Sequence, residues 1–358
     1  MSQRHRNDRS SQSSINWPLL AAGGIGALCL LRRMRQPSYS MQGKTVLVTG
    51  GSRGLGLVLA RELIAQGARV AICARDQEEL DRAFDDLTSR GGRVLAVPCD
   101  VTDRNHVEEM IGVVLDRFGR IDVLVNNAGI ITVGPQECMT VGDYERSMGV
   151  MFWGPLYTVL ATLPAMRRQG QGRIVNIASV GGKLAVPHLL PYSAAKFALV
   201  GLSQGLRSEL AKDNIVVTTV CPGLMRTGSP RNASFKGQHE AEYTWFNSGD
   251  LVPGLAISAE SAARQVVAAC RRGDAEVILG PSARVAVAFH ELFPNLSADL
   301  LALVNRLLPE PGGIGQAEAK GKDSETPLTK LLAPLSERAA RRNNEYAPEE
   351  LAQAAESN

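Results

Sequence analysis

The chain has 358 residues, 44% of them hydrophobic, and a formal net charge of +3. This length and apolar content are sufficient for one large α/β domain or two smaller ones. The near-neutral charge and the lack of a long basic run argue against nucleic-acid binding. The six cysteines have no C-x-x-C pair and no metal-ligand spacing, so the sequence predicts neither a disulfide framework nor a metal site.

The amino terminus differs from the rest of the chain in composition. Residues 1–14 are polar, and residues 15–31, INWPLLAAGGIGALCLL, are uncharged and are followed by Arg32, Arg33 and Arg35. This apolar run is at the short end for a membrane span, and no clear cleavage site follows it. The sequence therefore favours an uncleaved single-pass membrane anchor, with a targeting peptide or a disordered apolar tail as alternatives. Arginines flank both ends, so the orientation stays open, and we expect the domain that follows to be cytoplasmic.

Between residues 43 and 280, short apolar runs alternate with amphipathic helical patterns. The seven runs are residues 44–49, 68–74, 92–100, 120–129, 173–179, 214–223 and 275–280. Repeated β-α units of this kind predict a parallel sheet with helices on both faces. With right-handed crossovers, the fold is an α/β, doubly wound, Rossmann-type sheet of seven strands in one catalytic domain. Its ligands are expected beyond the carboxyl ends of the strands.

The first predicted strand leads into a glycine-rich loop, TGGSRGLG at residues 49–56, which opens the first helix. Glycines there allow a tight turn and a close approach of the backbone to a phosphate, and the helix start offers unpaired N–H groups. Because the loop has the required strand–loop–helix context, it predicts a dinucleotide site. Its candidate cofactor-binding residues are Gly50, Ser52, Arg53, Gly54, Leu55 and Gly56.

The end of the second predicted strand bears on the type of cofactor. An acidic residue there would bind the ribose 2′-hydroxyl of NAD, whereas an arginine suits the 2′-phosphate of NADP. The strand ends at Ala74, which offers no carboxylate, and Arg75 and Arg53 are placed to reach the phosphate. Although Asp76 is adjacent, the sequence predicts NADP(H) rather than NAD(H).

A serine, a tyrosine and a lysine, Ser179, Tyr192 and Lys196, stand at and after the end of the fifth predicted strand. The tyrosine and the lysine are spaced i,i+4, so a helix brings both side chains to one face. An ammonium group within about 4–6 Å lowers the pKa of a phenol, which suits it to exchange a proton with a carbonyl–alcohol pair. The serine hydroxyl is positioned to hold the reacting oxygen. These are the candidate catalytic residues, although Y-x-x-x-K alone also fits an ordinary helix surface.

Several motifs occur together and in a fixed order: the glycine loop, NNAG at residues 126–129, Ser179, Tyr192-x-x-x-Lys196 and Pro222–Gly223. In this the chain resembles the classical short-chain dehydrogenase/reductase family over about residues 43–280. The resemblance implies a single Rossmann-type domain that binds a nicotinamide cofactor and forms a homodimer or homotetramer. It makes Tyr192 the catalytic acid/base, gives Lys196 a bond to the nicotinamide ribose, and assigns Ser179 to the substrate oxygen.

The resemblance also implies further cofactor contacts. Asp100 would contact the adenine with Val101 packing nearby, and Thr227 would touch the carboxamide or diphosphate region. The remaining implied cofactor-binding residues are Asn127, Ala128, Gly129, Tyr192, Lys196, Pro222 and Gly223. Asn and Asp readily cap turns, so Asn127 and Asp100 have this second interpretation.

The chain departs from the family pattern at Met151. Many family members have an asparagine in this segment that supports a proton relay to the lysine, but here it reads Met151-Phe152-Trp153-Gly154. Methionine cannot donate or accept hydrogen bonds comparably. The relay then runs through backbone and water, or catalysis is slower, or the protein is no longer an efficient enzyme. The intact serine, tyrosine and lysine favour the first explanation.

The carboxyl-terminal part of the sequence is less specific. The segment that closes over the substrate in this family contains Phe235, Tyr243, Trp245 and Phe246, which either line an apolar pocket or pack on another subunit. Residues 281–309 predict an amphipathic helical extension that packs on protein or touches a membrane surface. Residues 310–358 have the composition of a linker and a charged tail.

These features predict a membrane-anchored, NADP(H)-dependent oxidoreductase. Hydride would pass between the nicotinamide and a carbonyl or secondary-alcohol carbon. The anchor suggests a small, lipophilic substrate, by analogy with family members. The alternative is an NADPH-binding scaffold or sensor with weak or no catalysis. The substrate and the physiological direction stay open.

Overall fold

The computed structural model describes residues 39–251, 255–326, 329, 334–347 and 349–350. The predicted polar segment 1–14 and the predicted membrane anchor 15–31 lie outside these residues. The described residues contain the predicted catalytic domain and most of the carboxyl-terminal segment after it.

Seven apolar strands form one parallel sheet. They are β1 (Thr45–Thr49), β2 (Arg69–Ala74), β3 (Arg93–Pro98), β4 (Val123–Asn126), β6 (Gly172–Ile177), β7 (Ile215–Pro222) and β11 (Glu276–Leu279). The shorter strands are β5 (Thr132–Val133), β8 (Met225–Arg226), β9 (Ser234–Phe235), β10 (Ile257–Ser258) and β12 (Ala319–Lys320). The order across the large sheet is β11-β7-β6-β4-β1-β2-β3. This confirms the predicted doubly wound sheet, and the reversal between β1 and β4 marks where ligands bind in such folds.

The central strands are buried on both faces. All five residues of β1 are buried, and Val48 of β1 pairs in register with Ile72 of β2. Leu47 of β1, Leu124 of β4 and Val217 of β7 belong to one hydrophobic cluster. Continuous apolar runs, rather than alternating ones, are expected when helices cover both faces of a parallel sheet.

Helices connect the strands, and several begin at side-chain caps. They are α1 (Gly54–Ala65), α2 (Gln77–Ser89), α3 (Arg104–Phe118), α4 (Val141–Met148), α5 (Gly154–Arg168), α6 (Leu190–Leu210), α7 (His239–Leu251), α8 (Ala259–Arg272), α9 (Pro281–Leu292), α10 (Pro294–Asn305) and α11 (Pro334–Arg342). The Asp76 carboxylate accepts a hydrogen bond from the backbone N–H of Glu79 at the start of α2. Ser258 accepts one from the N–H of Ser261 at the start of α8, as serine does at the start of many helices.

Helices α4 and α5 form one continuous helix, joined by a π-helical turn at Gly149–Trp153. Among the described residues, this stretch, Val141–Arg168, is the one helix whose length and composition would fit a membrane span, and 44% of its most apolar window is buried. Helix α5 packs against α3, β4 and β6. In this structure it is therefore a helix of the domain itself.

The region predicted as a linker and charged tail contains ordered elements, which corrects that prediction for its described part. Strand β12 pairs antiparallel with β9, which also pairs with β5. Helix α11 lies further along the chain, and Asn343, the residue after it, contacts Gly54 of the glycine loop. Long-range backbone pairing of this kind has no local sequence signal, and the Gly, Pro and charge content of the segment resembles that of a linker.

The predicted helical extension over 281–309 is present as α9 and α10. Its apolar side chains are largely uncovered: Leu292, Phe293, Leu296, Leu303 and Leu307 are each more than half exposed. The helices present these side chains outwards rather than packing them on the described domain.

Candidate active site

Helix α6 and strand β6 bring the three candidate catalytic residues together. Tyr192 and Lys196 lie in the first two turns of α6, and Ser179 follows the end of β6. The Lys196 ammonium is 4% exposed and donates a hydrogen bond to the carbonyl oxygen of Ile177 at 2.8 Å. Its nitrogen lies 5.6 Å from the centre of the Tyr192 ring. The predicted shared helix face is therefore formed.

Ser179 and Tyr192 also meet across this site. The Ser179 hydroxyl lies near the phenol of Tyr192, and its oxygen accepts the backbone N–H of Gly181 at 3.0 Å. A Cβ atom on Gly181 would lie 3.2 Å from a ring carbon of Tyr192 and 3.4 Å from the serine oxygen. Glycine at this position therefore lets the serine and the tyrosine approach each other.

Burial dominates the electrostatics of the pair. It raises the pKa of Tyr192, and the Ser179 hydroxyl opposes this rise. Burial also lowers the pKa of Lys196 to about 8, because the charged ammonium loses hydration. The sequence predicts a phenol whose pKa is lowered, but in this structure burial outweighs the lowering contributions and the net direction is upward. The sequence could not reveal the depth of burial.

The glycine loop has the tight geometry that a dinucleotide site requires. Gly50 has a φ of +61°, and a Cβ there would lie 2.8 Å from Cα of Ala128. A Cβ on Gly56 would lie 1.9 Å from the carbonyl oxygen of Gly50. Only glycine fits such a turn, which leads directly into the start of α1, with Leu55 buried in its first turn. The loop therefore fits a nucleotide phosphate at the amino terminus of the helix.

The NNAG run supports this loop. Asn127 donates from its side chain to the carbonyl oxygens of Thr49 and Gly50 at 3.1 and 3.0 Å. A Cβ on Gly129 would lie 3.9 Å from the Lys196 nitrogen. The run thus connects the glycine loop to the catalytic lysine, and Asn127 has the structural role of fixing the loop.

Charged groups surround the glycine loop near the end of β2. Arg53 contacts the Glu79 carboxylate at 2.6 Å and the Glu345 carboxylate at 3.5 Å, and Ser52 donates to Glu79 at 3.0 Å. Arg75 is exposed just beyond β2. Of the two arginines predicted for the NADP phosphate, Arg53 lies in the loop itself and already has acidic partners that the sequence did not indicate.

The remaining predicted cofactor residues are also at the carboxyl end of the sheet. Asp100 accepts hydrogen bonds from the backbone and hydroxyl of Thr102, so it caps its own turn. Val101 is buried and lies close to Gly154 of α5. Pro222 ends β7, and Gly223 donates its N–H to the carbonyl of Leu279. Thr227 is 3% exposed.

Met151 occupies the position at which the family pattern has a relay asparagine. It is completely buried in the π-helical turn, and its sulfur lies 3.7 Å from the point that a Cβ on Gly129 would take, close to Lys196. The side chain faces the site, as the motif predicts. The polar contact of the lysine goes instead to the backbone of Ile177.

The aromatic residues of the substrate-side segment pack within the chain. Phe235 and Tyr243 are buried in one cluster, with Trp245, Phe246 and Tyr192 packed against it. These four side chains form an internal apolar cluster, the apolar wall, on the side of Tyr192.

Sequence reasoning missed a polar pair behind this wall. His188, buried in the loop before Tyr192, meets the Glu242 carboxylate at 2.7 Å, and Trp245 donates to the same carboxylate at 2.5 Å. The histidine has a φ of +61°, which is rare for a non-glycine residue. The two partners are 54 positions apart, and no motif links them. A cleft of about 450 Å³ opens beside them and is lined in part by Pro135, Val186, His188, Leu190, Arg306 and Leu308.

The sequence model of the short-chain dehydrogenases matches residues 44–236. A dehydrogenase/reductase SDR family protein 7-like from Anopheles gambiae is 33% identical over 300 residues, which cover 80% of this chain and 93% of that protein. The chain belongs to the short-chain dehydrogenase/reductase family. The putative ketoacyl reductase 1 of the granaticin polyketide synthase of Streptomyces violaceoruber is 40% identical to this family member over 186 residues, covering 51% of this chain and 67% of that protein.

Solved structures of this family have the same fold. A short-chain dehydrogenase from Streptomyces avermitilis superposes on this family member with a TM-score of 0.64 and 33% identity, covering 74% of this chain and 98% of that one. A variant of actinorhodin polyketide ketoreductase, solved with NADPH, has a TM-score of 0.60 and 31% identity, covering 68% and 99% of the two chains. This short-chain dehydrogenase/reductase is thus an oxidoreductase by family, and its trio of Ser179, Tyr192 and Lys196 stands where the fold binds ligands.

Proposed function

We propose that the protein is an NADP(H)-dependent oxidoreductase that interconverts a carbonyl and a secondary alcohol on a lipophilic substrate. The observation that carries the proposal is the contact of Ser179 with Tyr192, one helical turn from a buried Lys196, next to a glycine loop that fits a dinucleotide. The cofactor, when bound, supplies or accepts the hydride.

The chain's own residues handle the oxygen and the proton. In the reducing direction, the Ser179 hydroxyl holds the substrate oxygen, and the Tyr192 hydroxyl gives its proton to that oxygen as the alcohol forms. The Lys196 ammonium stabilises the negative charge left on the tyrosine. Its bond to Ile177 fixes its position, so little reorganisation accompanies the transfer. The same steps in reverse serve alcohol oxidation.

Preference for NADP(H) is supported by the charges at the loop. Strand β2 ends at Ala74, so no carboxylate stands at that position, and Arg53 and Arg75 are near it. The family relative solved with NADPH has the same fold.

A lipophilic substrate is supported by the apolar wall and by the exposed side chains of α9 and α10. Phe235, Trp245 and Phe246 pack on the side of Tyr192, and residues just after α10 line the nearby cleft. Together with the apolar run at 15–31, this favours a single-pass membrane protein whose catalytic domain is cytoplasmic. Exposed apolar side chains on α5 and α6, such as Leu160 and Phe197, suit a homodimer or homotetramer.

The test is oxidation of NADPH with a panel of ketones and aldehydes of increasing chain length, using the wild type and Tyr192→Phe. We expect turnover with the more apolar carbonyls and a loss of about 10²–10⁴-fold in the variant, as for a lost general acid. Tyr157→Phe, on α5 against Trp153, is the matched control and keeps wild-type turnover.

The second candidate is a nucleotide-binding scaffold with little catalysis, favoured by the buried Met151 in place of a polar relay residue. Tight NADPH binding without turnover on any carbonyl, and with no difference between wild type and Tyr192→Phe, would establish the scaffold and refute the enzyme.

A further inference from the structure

The carboxyl-terminal segment enters the nucleotide-binding loop. After α11 ends at Arg342, the carbonyl oxygen of Asn343 accepts a hydrogen bond at 2.9 Å from the backbone N–H of Gly54, the first residue of α1. The side chain of Asn344 donates to the carbonyl of Ser52 at 2.9 Å. Two residues assigned to the cofactor thus make backbone contacts with the tail, and one donates the N–H that begins the helix.

The next residue brings a carboxylate to the same place. Oε1 of Glu345 lies 2.8 Å from the point that a Cβ on Gly54 would occupy, and its Oε2 is 3.5 Å from Nε of Arg53. Asn232 donates to Oε2 at 2.6 Å. The Glu345 side chain is only 1% exposed, so this carboxylate is enclosed between the tail, the loop and the segment after β8.

The segment is held at its other side as well. The side chain of Asn343 donates to the carbonyl oxygen of Thr227 at 3.2 Å, and the guanidinium of Arg231 lies 3.9 Å from the centre of the Tyr346 ring. Residues 343–346 therefore bridge the two walls of the predicted diphosphate site, the glycine loop and the loop after β8.

The chemistry of this contact is that of a phosphate. The start of a helix, with its N–H groups and dipole, favours an anion, and an arginine beside it adds a second attraction. The tail already uses these groups, because the carbonyl oxygen of Asn343 accepts the N–H of Gly54 and the Glu345 carboxylate lies 3.5 Å from Arg53. A diphosphate that binds the N–H of Gly54 has to displace the Asn343 carbonyl oxygen, which accepts that N–H in this structure.

We propose that residues 343–346 form an autoinhibitory strap that occupies the diphosphate position of the cofactor site and must leave before the cofactor binds. The proposal rests on the function proposed above, because it assumes that the glycine loop takes a nicotinamide dinucleotide. It adds a regulatory equilibrium: the apparent cofactor affinity is the intrinsic affinity multiplied by the fraction of molecules whose strap is open.

Burial makes the charged form of Glu345 costly in the closed strap. Burial raises the pKa of Glu345 to about 7, with Arg53 and Asn232 acting in the opposite direction. Because this burial weakens the closed state, an anionic ligand of higher charge can displace the strap.

The first experiment measures NADPH affinity of the full-length protein by the fluorescence of the bound nicotinamide. We expect Glu345→Ala to bind about tenfold more tightly than wild type, which corresponds to a strap closed in about nine molecules of ten. Glu349→Ala removes an exposed carboxylate of the same tail and is expected to leave the affinity unchanged. Equal or weaker binding by Glu345→Ala overturns the inference.

The second experiment does not depend on a variant folding correctly. Trypsin cleavage of the wild type after Arg341 and Arg342, followed by mass spectrometry, is expected to accelerate severalfold when NADPH is added, because displacement frees the strap. Slower cleavage with bound NADPH would show that the tail covers the cofactor, and unchanged cleavage would show that the tail does not respond to it. Either result overturns the strap and leaves the proposed function standing. If neither the wild type nor Glu345→Ala binds NADPH or NADH, the proposed function and the strap both fail.

Discussion

The Lys196 ammonium lies 5.6 Å from the centre of the Tyr192 ring and donates its hydrogen bond to the backbone of Ile177, the last residue of β6. The lysine is therefore positioned by the sheet and not by the phenol. Its charge acts on the tyrosine from a fixed point, which is the arrangement that electrostatic preorganisation requires. Removing or changing that charge should alter the pH dependence of the reaction while the positions of the other site residues stay the same.

Lys196→Arg should move the alkaline limit of carbonyl reduction. Burial lowers the pKa of Lys196 to about 8, so the wild type loses this positive charge as the pH rises through about 8, and its rate should fall there. Arginine keeps its charge throughout this range, so the variant, although slower overall, should show no fall near pH 8. The measurement is kcat/KM against pH. If both proteins lose activity over the same alkaline range, the fall does not come from the loss of the Lys196 charge.

Met151→Asn should change turnover by less than about threefold, because the amine already has a backbone partner at Ile177. The variant should be less stable by about 1–3 kcal/mol, since it buries an amide in a fully enclosed apolar position. Met151→Leu keeps the shape and provides the control. Steady-state kinetics and urea unfolding test both parts, and a large gain in turnover would mean that the native proton relay is impaired.

Arg75→Ala should weaken NADPH binding by about tenfold to a hundredfold and leave NADH binding nearly unchanged, since hydrogen bonds to a charged phosphate are worth about 1.5–3 kcal/mol. Arg75 is the cleaner test because Arg53 also contacts Glu345. Arg93→Ala, at the amino end of β3, removes a charge at the other end of the strands from Arg75 and is the control. Equal losses for the two nucleotides would argue against an NADP preference.

Lys236→Met should destabilise the protein by about 3–5 kcal/mol, the usual effect of breaking a buried ion pair. Its ammonium meets the buried Asp143 carboxylate at 2.6 Å. The matched control is Arg146→Met, which removes the half-exposed partner of the same carboxylate and should cost less than about 1 kcal/mol. Chemical unfolding with urea would measure both.

The same pair predicts an acid-sensitive contribution to stability. Burial would raise the pKa of Asp143, but hydrogen bonds from Lys236 and Thr140 outweigh it and lower the pKa from 3.8 to about 2. The stabilisation is therefore complete above about pH 4 and is lost as the pH falls towards 2. Unfolding free energies of the wild type should decline over this range, and those of Lys236→Met should decline less.

Cofactor affinity should rise with pH, because the strap closes less readily at higher pH. Because burial raises the pKa of Glu345 to about 7 from 4.5, the closed strap takes up a proton, and closure becomes less favourable as the pH increases from about 4.5 to about 7. The charged groups that act on it are Arg53, Glu79 and Arg231. NADPH titrations of wild type and Glu345→Gln across this range would show whether the pH dependence is smaller in the variant, as expected.

Much of the fold follows from local pattern. Each predicted strand is a continuous apolar run. Such runs are typical of a parallel sheet covered by helices on both faces, because neither face of the strand contacts solvent and polar residues therefore do not alternate with apolar ones. The catalytic trio was predictable because a helix converts the i,i+4 spacing of Tyr192 and Lys196 into proximity. The glycine loop was predictable because Gly50 and Gly56 satisfy steric limits that no other residue does.

The contacts that sequence reasoning missed join distant parts of the chain. Asn344 and Ser52 are 292 positions apart, and neither residue has a pattern that indicates the other. The direction of the Tyr192 pKa was wrong for a related reason, since the depth of burial is a property of the assembled domain. Composition made the tail resemble a linker, although its asparagines and glutamate are the groups that bind the loop.

Strand β9 has partners along both of its edges, β5 on one side and β12 on the other. Three stretches that lie far apart along the chain, Thr132–Val133, Ser234–Phe235 and Ala319–Lys320, therefore form the small sheet beside the aromatic cluster. Anyone who grafts the selectivity of a relative onto this scaffold must exchange all three stretches in matching register. A chimera that exchanges one segment alone would leave backbone donors and acceptors unpaired. We expect such a chimera to misfold, so its substrate preference could not be measured.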